Sequence, residues 1–139
     1  MYNPVLFAAV LSIAVAQIGK VLFLRFKRSK WDISLLWSAS GMPSSHAAAV
    51  SSATMMTGLT EGFSSPLFAL ASIFSLLVIY DAMGVRRAVG DQAELLNYLM
   101  ELREHTGKHS LVERVGHTPL QVIAGIVLGC LIALALFYV

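Results

Sequence analysis

The 139-residue chain contains a single cysteine, Cys130, and only 13% of its residues are charged. One cysteine excludes a disulfide framework and a thiolate metal cluster. Its place inside an apolar run marks it as a packing or lipid-facing residue. A soluble domain normally carries about a quarter charged residues, so this chain lacks the polar surface that water requires. No carboxylate-rich cluster suited to a divalent cation is evident, and neither a metal nor another cofactor is expected. No nucleic-acid partner is expected either. The opening Met1-Tyr2-Asn3-Pro4 has no positive n-region, and no small-residue cleavage site follows the first apolar run, which is therefore expected to remain as a membrane helix. Low-complexity tracts and internal repeats are missing.

What the chain has in abundance is apolar residues, 57% of the total, with a mean hydropathy of +0.73. Crossing about 30 Å of hydrocarbon takes roughly 20 such residues in a helix. Residues 4–26, 66–83 and 118–139 meet this requirement. Residues 43–60 are built largely of Ala, Ser, Thr and Met; small residues let helix backbones approach closely, which points to a fourth, central helix. Pro43 with Ser44 and Ser45, and Thr118 with Pro119, read as helix openings with hydroxyl caps and a proline in the first turn. Over residues 91–104, Ala93, Leu95, Leu96, Leu99, Met100 and Leu102 alternate with Glu94, Asn97, Glu101 and Arg103, an amphipathic pattern suited to the membrane surface. The expected fold is all-α, a single integral membrane domain with about four spans and one surface helix.

Four spans put the connections 25–42 and 84–117 on one side and both termini on the other. All ten Lys and Arg then fall on, or at helix ends facing, the first side. The excess of positive charge marks the cytoplasmic face, so the termini are expected outside a cell (inner) membrane. Arg25, Lys27, Arg28 and Lys30 read as an anchor touching anionic lipid, and Trp31 and Trp37 as interfacial aromatics. Gly125 and Gly129 form a small-xxx-small pair consistent with close helix packing or a homodimer.

This topology gathers polar residues that are far apart in sequence. Lys20 lies near the inner end of the first span, Ser44, Ser45 and His46 open the second, Arg86 and Arg87 follow the third, and His117 opens the fourth. Singly, each has an ordinary reading: Lys20 snorkels to the headgroups, each histidine caps a helix, and Asp81 neutralises Arg86 or Arg87. Their coincidence at one face points instead to phosphate chemistry. Helix N-termini favour bound anions, and Lys and Arg stabilise charge that grows on phosphate oxygens. Two histidines allow one nucleophile and one general acid.

Gly41-Met42-Pro43-Ser44-Ser45-His46, Asp81-Ala82-Met83-Gly84-Val85-Arg86-Arg87 and Gly116-His117-Thr118-Pro119 resemble motifs of the type-2 phosphatidic acid phosphatase superfamily. The resemblance is closest to its divergent branch, described as acid phosphatase/vanadium-dependent haloperoxidase-related proteins. The superfamily pattern is Lys-x6-Arg-Pro, Pro-Ser-Gly-His and Ser-Arg-x5-His-x3-Asp. Lys20 takes the first lysine position, Lys27 the arginine position and Arg28 the proline position. Ser44 and His46 match, with Ser45 replacing glycine, and the third motif is split between Arg87 and His117. The resemblance implies a reduced form of the superfamily bundle and a lipid phosphate phosphatase working without metal through a phosphohistidine. His117 would be the nucleophile and His46 the general acid. Lys20, Ser44, Ser45, Arg87 and either Arg86 or Lys27 would hold phosphate. Gln121 stands where the pattern has the aspartate that orients the nucleophile; Asp81 or Glu113 is an alternative source of that charge. The expected partners are a lipid phosphate substrate and membrane lipids. A degenerate site that binds or transports lipid phosphates without turnover is the competing expectation.

Overall fold

A computed structural model describes residues 3–28, 41–102, 111–112 and 116–139, with the side chains of 26–28 outside the described set. The described residues form five helices: α1 (Pro4–Arg28), α2 (Ser45–Glu61), α3 (Pro66–Met83), α4 (Val85–Leu102) and α5 (Pro119–Tyr138). The all-α expectation holds. Three helical stretches, beginning at Pro4, Pro66 and Pro119, are long and apolar enough to cross a membrane. At about 1.5 Å per residue, α1 is the longest and α2, with 17 residues, the shortest.

Each start follows from local chemistry. The Asn3 carboxamide accepts from Leu6 N–H at 3.1 Å. Ser65 Oγ accepts from Phe68 N–H at 3.2 Å ahead of Pro66. Thr118 and Gln121 form a reciprocal capping box ahead of Pro119. For α2 the cap is Ser44, whose Oγ accepts from Ala47 N–H at 3.3 Å. Pro43 therefore precedes the cap instead of sitting in the first turn, and its peptide bond with Met42 is cis.

Helix α2 occupies the centre, packed against α1, α3 and α5. It buries Ser45, Ala47, Ala48, Ser51, Ser52, Met56, Thr57 and Gly58, and small side chains are what allow three neighbours at once. On α5, Gly125 and Gly129 press against the Ser44 and Ala48 carbonyls. The small-xxx-small pair is thus used inside the protein. Toward α3, Thr54 and Ser75 hydroxyls lie 2.6 Å apart, and Ser75 Oγ also donates to Val50 C=O at 3.1 Å. The apolar bulk is turned outward: Leu70, Ile73, Phe74 and Leu77 on α3, and Leu120, Ile123, Val127 and Leu131 on α5, are exposed. Such a surface is stable in hydrocarbon and unstable in water.

Helix α4 begins at Val85, well before residue 91, where the alternating pattern suggested a start. Gly84 alone separates it from α3: Gly84 N–H closes α3 on Tyr80 C=O at 2.8 Å, and Gly84 C=O opens α4 by accepting from Ala88 N–H at 3.0 Å. Arg86 and Arg87 consequently stand in the first turn of α4, not in a connection. Trp31, Trp37, Lys30, Arg103, Glu113 and the Lys27 side chain lie outside the described residues.

Candidate anion site at the α2 and α5 N-termini

Lys20 sits one turn beyond Ala16 on the buried stripe of α1 and is only 2% exposed. Its Nζ donates to Ser45 Oγ at 3.2 Å, joining α1 to the first residue of α2. The segment before α2 folds over this lysine. Gly41 has φ +117°, and a Cβ there would meet Lys20 Cδ at 3.4 Å, while Gly19 leaves room for Pro43. A left-handed φ and close approach together favour glycine at position 41.

Ser44 is fully buried and donates its backbone N–H to Gln121 C=O at 3.0 Å. This bond locks the start of α2 beside the first turn of α5, so two helix N-termini share one locus. His46 and His117 follow from that junction, with ring centroids 6.1 Å apart and planes inclined by 52°. His117 is held by its own backbone: its N–H donates to Ala82 C=O at 3.0 Å. Gly116 (φ +93°) makes the approach possible, since a Cβ there would lie 2.6 Å from Arg87 N and 2.9 Å from Arg86 C. The Ala82 carbonyl has no side-chain signature, and sequence reasoning did not reach it.

Arg86 Nε donates to Asp81 Oδ2 at 2.6 Å, with both side chains nearly half exposed. The positive charges of Arg86 and Lys20 act on both imidazoles. Arg87 is different. Its backbone packs on Gly116, and it is not among the charges acting on either ring. The site therefore brings together Lys20, Ser44, Ser45, His46, Asp81, Arg86, His117 and Gln121, and leaves Arg87 at its edge.

His117 is buried, 4% exposed. Burial first, then the positive charge of Lys20, pulls its imidazole down from 6.5 to about 4, and the Gln121 side chain acts in the opposite sense. The ring is thus neutral near pH 7, the state a nitrogen nucleophile needs. Its Nδ1 is buried without a hydrogen-bond partner among the described residues. Gln121 is committed elsewhere: its Oε1 accepts from Thr118 N–H at 2.9 Å, and its N–H donates to Thr118 Oγ1 at 3.4 Å. The residue at the expected aspartate position works as a helix cap. The arrangement as a whole is a cationic corner at two helix N-termini, which favours a bound anion.

No solved structure matches this chain. An uncharacterized membrane protein of Bacillus subtilis (strain 168), YuiD, is 35% identical over 150 residues, an alignment covering 98% of this chain and 95% of that protein. The Divergent PAP2 family matches residues 1–132, nearly the whole of the helical bundle and every residue of the site. With that match and that relative, the chain belongs to the divergent PAP2 family.

Proposed function

We propose that the protein is a membrane-embedded phosphatase that removes phosphate from a lipid phosphomonoester or pyrophosphate at the cytoplasmic face. The observation that carries this reading is the His46–His117 pair, 6.1 Å between ring centroids, beside the buried Lys20 ammonium. Lys20, Ser44, Ser45 and Arg86 hold the phosphate, with Arg87 and Lys27 as outlying cations. An imidazole nitrogen of His117 attacks phosphorus, forming a P–N bond as the P–O bond to the lipid breaks. His46 enters this step as the imidazolium and gives its extra proton to the departing oxygen. Neutral His46 then takes a proton from water as the water oxygen attacks phosphorus, which breaks the P–N bond and releases inorganic phosphate. The cytoplasmic orientation rests on the distribution of Lys and Arg, and it suits substrates of the inner leaflet such as phosphatidic acid or phosphatidylglycerophosphate.

A second reading is favoured by one specific observation. Gln121 supplies no charge, its carbonyl is engaged by Thr118, and His117 Nδ1 has no partner among the described residues. On that reading the protein binds or carries lipid phosphates without turnover.

The deciding experiment is phosphate release from a panel of lipid phosphates in mixed micelles by wild type, His117→Ala and His46→Ala. The phosphatase reading expects release by wild type and none by His117→Ala. For His46→Ala it expects a loss of about 10²–10⁴-fold, the usual contribution of a general acid. Equal release by all three proteins overturns the assignment; saturable lipid-phosphate binding without turnover establishes the carrier.

A further inference from the structure

Helix α4 carries an asparagine where a helix interior disfavours one. Asn97 is 9% exposed and lies on a buried stripe with Gly90 and Ala93. Its Nδ2 donates to Leu111 C=O at 2.9 Å, and its Oδ1 accepts from Leu111 N–H at 2.8 Å. One side chain therefore satisfies both backbone groups of a single residue outside any helix, as a neighbouring β-strand would. Leu111 lies six residues before His117. An extended chain covers at most about 3.6 Å per residue, so a clamp on Leu111 restricts where His117 can go. The other end of the segment is fixed by Gly116 against Arg86 and Arg87 and by His117 N–H on Ala82 C=O.

We propose that Asn97 is a positioning residue that ties α4 to the segment leading into His117, so that the placement of this amphipathic helix sets the placement of the imidazole. The consequence for catalysis rests on His117 being the nucleophile; the clamp itself does not. Val89, Leu96 and Leu99 on the neighbouring face of α4 are exposed, which puts the clamp on an element with an outward apolar face. Asn97 reaches this segment through its two bonds to the Leu111 backbone.

The test labels the full-length protein in micelles with diethyl pyrocarbonate and follows His46 and His117 separately by mass spectrometry, alongside turnover. In wild type His117 is labelled slowly, as its burial dictates. Asn97→Ala is expected to speed labelling of His117 several-fold and leave His46 unchanged. It also lowers kcat by about 100-fold, the scale of a 1 Å misplacement at a reacting centre, with KM unchanged because the phosphate-holding residues stay in place. Asn97→Asp keeps an acceptor for Leu111 N–H and loses the donor, so it falls between, and it carries the test if the alanine variant does not fold. Unchanged His117 labelling in both variants overturns the proposal, as does a parallel rise at His46, which marks general loosening. If wild type releases no phosphate from any lipid, the phosphatase reading fails, and the contrast between His117 and His46 labelling still decides the clamp.

Discussion

Replacing Gly125 by alanine tests whether the α2–α5 seam sets both stability and the site. In an open helix this substitution stabilises by roughly 0.5–1 kcal/mol, because alanine loses less backbone entropy. At position 125 the added methyl would overlap the Ser44 carbonyl oxygen, with Ala47 Cβ at 3.0 Å and Ala48 N at 3.3 Å. None of these atoms ends a flexible side chain, so the helices themselves must part. Overpacking of a tight interface costs about 1–3 kcal/mol, which leaves a net loss centred on about 1 kcal/mol, within a range of about 0–2.5 kcal/mol, after the helix-propensity gain. Ser44 also donates its N–H to Gln121 C=O, so the α2 cap and His46 shift away from α5, and on the phosphatase reading phosphate release falls with stability. Reversible unfolding by sodium dodecyl sulfate in mixed micelles measures the first effect. Val127→Ala, on the 53% exposed outer face of the same helix, is the control and should stay within about 0.5 kcal/mol of wild type. A Gly125→Ala protein as stable as wild type, or more so, would refute the packing argument.

Two further outcomes follow from the same site. His117 is held near 4 against an ordinary 6.5; on acidification the unfolded chain therefore takes up this proton first. Its contribution to stability is complete above about pH 6.5 and is lost progressively toward about pH 4. The pH dependence of unfolding measures it, and a His117→Phe protein should have a flatter profile across that window; one that tracks wild type removes the assignment. Gln121→Asp gives the buried His117 Nδ1 a charged partner one turn away and keeps an acceptor for the helix cap. Phosphate release should rise at least tenfold if the site is an enzyme with a weak orienting group, by analogy with the roughly 10⁴-fold effect of losing the aspartate in a serine-protease triad. No gain, with lipid-phosphate binding intact, favours the carrier.

The convergence of Lys20, Ser44, His46 and His117 was legible because helix length and charge placement fix which ends share a face. Each of those residues is a side chain announcing itself against an apolar background. The roles of Arg86 and Arg87 were not. They are adjacent and chemically identical, both are exposed, and only the turn made by Gly84 decides that Arg86 is the one that meets Asp81. The start of α4 was hidden for a related reason: no cap residue marks Val85, and the apolar alternation becomes regular only later. Gln121 was read as a defective aspartate, and its sequence position permitted nothing more. Its part in the Thr118 capping box depends on which partner its carbonyl selects, and a helix N-terminus supplies a nearby N–H. The Ala82 carbonyl and the Leu111 backbone lay beyond reach, since backbone partners leave no trace in residue identity.

The weak hydropathy of α2 has a structural cause in this frame. A helix enclosed by α1, α3 and α5 has no need of lipid-facing bulk, and large side chains would hold those neighbours apart. Its alanines and serines let the Gly125 and Gly129 backbone of α5 reach the Ser44 and Ala48 carbonyls, and the same closeness brings Ser44 N–H to Gln121 C=O and Ser45 to Lys20. The seam that makes α2 read poorly as a membrane span is therefore what gathers the cation, the caps and the two imidazoles. Within hydrocarbon, polar groups persist only where protein shields them and pairs them. A larger residue at position 125 or 129 would meet the Ser44 or Ala48 carbonyl first and so part the two helix N-termini that bring the imidazoles together.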